Sequence, residues 1–167
     1  MTKRHTPVVL AMLACALLTG CSTVEKKTAE VRDSTRMQEG TQQTSSRLLD
    51  MTGLKGKVTK PAPGPLPCEG YEGDVIQMIH PWSVYGLPFE ELEKAYAAMR
   101  RTLPENGWKI VSDGPDTSNA KIPTIVADSP DGEYSAELRL MDNRNDPKTK
   151  TKAMLNVTVV SRCFQES

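Results

Sequence analysis

Few side chains in this sequence are of a type that carries chemistry alone. The 167 residues include two histidines and four cysteines. His80 is the one histidine beyond the first twenty residues, and it stands next to Pro81 and Trp82. A Ser–His type of nucleophilic catalysis needs a base oriented by an acid, and the surroundings of His80 fit a packed or surface histidine better. Glu90, Glu91 and Glu93 offer carboxylates of the kind that cleave glycosides. They open a helical stretch, however, where the helix dipole favours acidic residues anyway. Residues 142–146 (Asp142, Asn143, Arg144, Asn145, Asp146) resemble a calcium loop by letters. Arg144 occupies a position where an oxygen ligand belongs, and no glycine follows Asp146. Asp113 and Asp116 flank Gly114 and Pro115 and read as a turn. One histidine and no Cys-x-x-Cys leave a metal site short of ligands. The expectation is therefore no catalytic set, no metal and no cofactor.

Candidates for binding are more open. Trp82, Tyr85 and Phe89 surround a bend containing Gly86 and Pro88. They read as a possible sugar- or peptide-binding rim, since aromatic residues are common anchors, or as a cap over the core. Lys148, Lys150 and Lys152 could touch anionic lipid or wall polymer, or simply be solvated. Asn156, Val157 and Thr158 spell a glycosylation sequon, but inside an expected strand.

The elements that must position these residues begin after an unusual N-terminus. Lys3 and Arg4 precede an apolar run over residues 8–18, which is too short for a membrane span of about twenty residues and has the length of a signal-peptide core. The following Leu18, Thr19, Gly20 and Cys21 resemble the lipobox of bacterial lipoproteins. That resemblance implies cleavage before Cys21 and a diacylglyceryl group, palmitate included, on its thiol. A single chain anchors only marginally, at about 0.8 kcal/mol per buried CH₂, so stable attachment takes two or more. Of 21 basic and 21 acidic residues, residues 1–20 hold Lys3 and Arg4 and no acid. The remainder carries 19 basic groups against 21 acidic, a net charge of −2, which argues against a dedicated nucleic-acid surface. Cys15 leaves with the signal and Cys21 takes the lipid. Cys68 and Cys163 remain as an even pair, which in an oxidising compartment forms a disulfide.

Residues 21–45 are rich in Thr, Ser, Gln, Glu and Lys and are expected to be a flexible tether, with transient helix over 25–37. Residues 46–67 give a short helix at 46–54 and then a stiff connector with Pro61, Pro63, Pro65 and Pro67. The domain proper is expected over 68–167. A strand falls at 74–80, reaching Tyr85 beyond Pro81. Phe89, Leu92, Tyr96, Met99 and Leu103 recur at helical steps, so 88–103 is a helix stopped by Pro104 and Gly107. Strands follow at 108–112, 122–128, 133–141 and 153–163, with Ser129, Pro130, Asp131 and Gly132 as a turn. Leu155, Val157, Val159 and Cys163 share a parity and should face inward. The expected class is α+β: an antiparallel sheet of about four or five strands, with one main helix on one face, in the order strand-helix-strand-strand-strand-strand. A disulfide from Cys68 to Cys163 would make the first and last strands neighbours.

The lipobox, the Thr/Ser/Glu-rich segment, Cys68, Trp108 after Glu105, Asn106 and Gly107, and the closing Val160, Ser161, Arg162, Cys163 and Phe164 together resemble small uncharacterised lipoproteins of actinomycete-type bacteria. That resemblance implies no activity. The expected function is a membrane-anchored extracytoplasmic lipoprotein, lipid-anchored to the outer side of the cell membrane. It would act as a non-enzymatic binding module for an envelope protein or wall component. The alternative is an envelope enzyme or accessory subunit acting on wall material, for which Glu90, Glu93 and His80 would have to converge.

Overall fold

The structure, a computed structural model, describes residues 27–59 and 61–167. Residues 1–26, with the expected signal segment 1–20 and Cys21, and Lys60 lie outside the described residues. The first elements overturn part of the expected tether. Strand β1 (Glu30–Arg32) leads into helix α1 (Ser34–Thr52). The Asp33 carboxylate caps the helix by accepting from the Arg36 N–H at 2.8 Å. Gly53, at φ 68°, closes it in the left-handed conformation. Residues 34–45 thus belong to a packed helix, because small polar side chains can be buried when their hydroxyls are bonded. Thr41, Thr44 and Ser45 are buried along with Met37 and Leu48, and Thr41 Oγ1 donates to the Met37 carbonyl at 2.7 Å. Gly40 allows the close approach on this face: a Cβ there would lie 2.2 Å from the Tyr134 hydroxyl. The Arg32 guanidinium pairs with Glu133, tying β1 to the rest of the domain.

After α1 come two short strands, β2 (Lys57–Val58) and β3 (Gly64–Pro67). Both pair with β4 (Val75–Tyr85). The proline-rich connector is therefore an edge strand. Its pattern allows this, because Pro65 and Pro67 share one parity and Cys68, of the opposite parity, donates its N–H to the Val75 carbonyl at 2.9 Å. The positions lacking an N–H face the unpaired side, where no donor is needed.

Helix α2 (Phe89–Glu105) follows, then β5 (Lys109–Pro115), β6 (Pro123–Asp128), β7 (Tyr134–Asp142), β8 (Ala153–Ser161) and β9 (Phe164–Glu166). The nine strands form one sheet in the order β1-β9-β4-β8-β7-β6-β5, with β2 and β3 on β4. Every pairing is antiparallel except β1 on β9. The α+β class stands. Among the described residues the expected four or five antiparallel strands and one helix are corrected to nine strands in a mixed sheet with two helices. The undercount came from short pieces: β1, β2, β3 and β9 have two to four residues each, too few for any periodicity to register.

Both helices pack against the sheet. Leu92, Tyr96, Met99 and Leu103 of α2 meet Leu138, Leu155, Val157 and Val159 in one core. Alternation along β7 and β8 places these strand residues on a single face. Phe89, at the start of α2, is half-buried.

Cys68 and Cys163 form a disulfide with Cα atoms 6.2 Å apart. The strand that should carry Cys163 inward breaks at Arg162 and Cys163, which corrects the expected parity. Cys163 is half-exposed, and Phe164, fully buried, takes the inward place against Met37 and Met78.

Candidate functional site

A cleft between the first helix and the sheet follows from one proline. On one side β4 pairs with β8 without interruption from Ile79 to Tyr85. On the other side β3 covers it up to Ile79 and β2 resumes at Val84. Between them Pro81 turns its ring nitrogen toward that second side, as the N–H of Ser83, of the same parity, shows by donating to Thr59 Oγ1 at 2.9 Å. Pro81 has no hydrogen to offer there, and after Thr59, whose N–H still donates to the Ser83 carbonyl at 3.1 Å, residues 61–63 make no strand pairing with β4. Helix α1 lies over the gap. The result is a cleft of about 450 Å³ lined by Ser45, Leu49, Val58, Pro61, His80 and Trp82, among others. Its volume is in the range of small-molecule sites, roughly 300–1,000 Å³. Gln42, Ser46, Thr59, Pro61 and Ala62 are the exposed members of its lining. Among the described lining residues none is charged.

His80 is 3% exposed and both its ring nitrogens are engaged. Nε2 lies 2.9 Å from the Pro61 carbonyl and Nδ1 lies 2.7 Å from Ser45 Oγ. The carbonyl can only accept, so Nε2 carries the proton, Nδ1 is the acceptor, and the Ser45 hydroxyl donates to it. Burial pushes the His80 pKa below 6.5, with the Pro61 carbonyl opposing in part. The ring is therefore neutral near pH 7. Two residues on, Trp82 is buried on the same face, and its indole Nε1 has no hydrogen-bond partner among the described residues. A buried donor without a partner costs about 1–3 kcal/mol, and native proteins tolerate few of them.

The residues singled out from the sequence fare differently. Trp82, Tyr85 and Phe89 do not form one rim, because strand alternation sends Trp82 and Tyr85 to opposite faces of β4. Phe89 lies under the Arg144 guanidinium, 4.0 Å from ring centroid to Cζ. Glu90 and Glu93 line a second cleft of about 530 Å³ with Lys94, Tyr96 and Arg100, apart from His80. The convergence required for the enzymatic alternative is absent. In the second cleft Arg100 is bound to Asp113 at 2.7 and 2.8 Å and sits over the Tyr96 ring. Burial pushes the Tyr96 hydroxyl up to about 12. Glu90 meets Arg144 at 3.3 Å.

The acidic loops serve as turns. Asp116 accepts from the backbone of Ser118 and Ile122 and pairs with Arg139. Asp142 is bound by Arg144, which holds its carboxyl below the usual range. Asp146 accepts from Thr149 and Lys148. No metal-holding cluster of His, Cys, Asp and Glu exists among the described residues. Lys148 and Lys150 are exposed, and Lys152 Nζ donates to the Asp146 carbonyl at 2.8 Å. Asn156 is half-buried within β8 and donates to Ser83 Oγ at 3.1 Å.

Ser45 and the α1 wall of the cleft were not legible as a site. A weak signal exists: Met37, Thr41, Thr44, Leu48 and Thr52 recur at helical steps if threonine is counted as a burying residue. No helix among the described residues is long and apolar enough to cross a membrane. No protein-family model, no curated protein and no solved structure matches the chain.

Proposed function

We propose that the chain is a membrane-anchored extracytoplasmic lipoprotein whose folded domain is a non-enzymatic binding module of the cell envelope. The observation that carries the binding half is the cleft between α1 and β4, whose described lining residues carry no charge. The address is supported by the lipobox-like Leu18–Cys21 sequence and by the Cys68–Cys163 disulfide, a bond of oxidising compartments. Eight residues, 22–29, separate Cys21 from β1, so an anchored domain stays within about 30 Å of its lipid. Cys21→Ala tests the address. The variant should take up no labelled palmitate and should leave the membrane fraction; membrane-bound protein with unchanged label would end the reading.

A second reading, an envelope enzyme acting on wall material, is favoured by the Ser45–His80 pair. It ranks lower for a physical reason. The group behind the imidazole is the neutral Pro61 carbonyl rather than a carboxylate, so nothing compensates the charge of an imidazolium formed during acyl transfer. Labelling by a fluorophosphonate that Ser45→Ala abolishes would reverse that order.

A further inference from the structure

Leu48 of α1 and Leu92 of α2 belong to one core with Trp82, Leu138 and Leu155, so both helices pack on the same face of the sheet. Strand alternation sends the remaining side chains to a face that no helix among the described residues covers. Val31, Leu66 and Val111 are large apolar residues that stand exposed, at 59%, 40% and 49%. Register puts Val31 and Leu66 on the bare face. Val31 lies beside Gln165, which lies beside Val75, and Leu66 lies beside Gln77. Val75 and Gln77 have the parity opposite to that of His80 and Trp82. Strand spacing sets Val31 and Leu66 about 16 Å apart. Half-exposed Ile79 and Val160, partners across β4 and β8, extend the patch. Val111 is on β5, six steps from β1 in the sheet. A twist of about 20° per strand turns it more than roughly 100° away from Val31.

We infer that the patch around Val31 and Leu66 rests on the bilayer that holds the Cys21 lipid. The inference depends on the lipoprotein reading. The tether names the occupant. The chain enters the sheet through β1, the strand of Val31, and residues 22–29 alone separate β1 from Cys21. A reach of at most about 30 Å keeps the patch at a high effective concentration near the lipid headgroups, so a modest apolar contact is enough to seat it. The 69–74 loop, between β3 and β4, exposes Glu69, Glu72 and Asp74. Anionic lipid is therefore not what draws this end of the domain down. Seated in this way, the domain turns its helix-covered face, with the cleft between α1 and β4, outward to the envelope.

The test uses the full chain, acylated at Cys21, in phosphatidylcholine nanodiscs with a nitroxide on the headgroups. Methyl NMR reads paramagnetic broadening. Leu66 is the reporter, because its strand is not the one the tether enters. It should broaden more than Val111. Val31→Ser should lower the docked-to-free ratio read at Leu66 about 3- to 10-fold, the worth of one exposed apolar side chain. Leu66→Ser, read at Ile79, should do the same. Equal broadening of Leu66 and Val111 overturns the inference. So does a Val31→Ser chain that broadens as the wild type does. A contact that phosphatidylglycerol strengthens and salt removes is ionic, and overturns it too. Sedimentation of the detergent-released chain as a dimer that Val31→Ser dissociates assigns the patch to a second copy instead. A chain that carries palmitate on Cys21 yet broadens evenly sinks this inference and leaves the lipoprotein reading standing. A chain without palmitate ends that reading; coupled through Cys21 to a maleimide lipid, it still shows whether the patch docks.

Discussion

The two helices cover the same sheet by opposite means. Helix α2 presents Leu92, Tyr96, Met99 and Leu103, side chains long enough to reach the strands and fill the space between. Helix α1 presents Thr41, Thr44, Ser45 and Thr52 beside Met37 and Leu48. Short hydroxyl side chains cannot fill the same gap. The Ser45 hydroxyl bonds across to His80, those of Thr41 and Thr52 bond carbonyls of their own helix, and a cleft is left. A ligand-sized space with polar groups in its wall therefore arises where the covering helix is small and polar. The same comparison explains why His80 and Trp82 differ from Val84, which shares their face: the first two lie under α1 at the gap in the ladder, the last under paired strand.

The contrast can be broken experimentally, and the largest effect expected is on the links that supplement packing. The Cys68–Cys163 bridge joins residues 95 apart in sequence. Losing such a bond typically costs about 2–5 kcal/mol. Cys68→Ala, Cys163→Ala and the double variant should be destabilised by equal amounts in denaturant melts, since each removes the same bond. Two titratable thiols in the unfolded protein without reductant would show that the bond does not form.

The helices themselves should respond unequally to truncation. Leu92→Ala removes a fully buried α2 side chain and should cost about 2–5 kcal/mol. Ser45→Ala in α1 removes little volume but leaves His80 Nδ1 without a donor, for about 1–3 kcal/mol. If Ser45→Ala melts with the wild type, α1 is not held by its hydrogen bonds and the comparison fails.

The smallest effect sharpens it through pH. Burial lowers the His80 pKa below 6.5, so the unfolded chain takes up that proton before the folded one does. Stability from this group is complete above about pH 7 and falls as the pH drops below 6.5 toward the folded value. The lowered carboxyls of Asp131 and Asp142 act only beneath their ordinary 3.8, outside that window. His80→Gln should flatten the slope of stability below about pH 6.5; an unchanged slope would show that His80 titrates freely in the fold.

Much of the α2 half was readable in advance because its signals are long. Steps of three and four over residues 89–103, and strict alternation over residues 134–140, need no partner to be recognised. The α1 half was not, because its buried face is threonine and serine, which carry no apolar periodicity: Thr41 and Thr52 satisfy their hydroxyls on carbonyls of their own helix, and Ser45 on a residue far along the chain. Nothing near Ser45 announces a histidine 35 residues away. Trp82 was singled out as an aromatic, but with the wrong company, since Tyr85 turns to the other face and Phe89 goes to Arg144.

By itself the sequence determined the α+β class, the amphipathic helix and the long strands, which depend on local periodicity, and it pointed to the Cys68–Cys163 pair through the expected separate fates of Cys15 and Cys21. The tertiary structure decided which short segments became strands, that the polar stretch before Ser46 is a covering helix, and that a gap in the ladder at Pro81 lies beneath it. Those outcomes depend on hydrogen-bond partners and close approaches between distant residues, and a linear pattern carries no record of either.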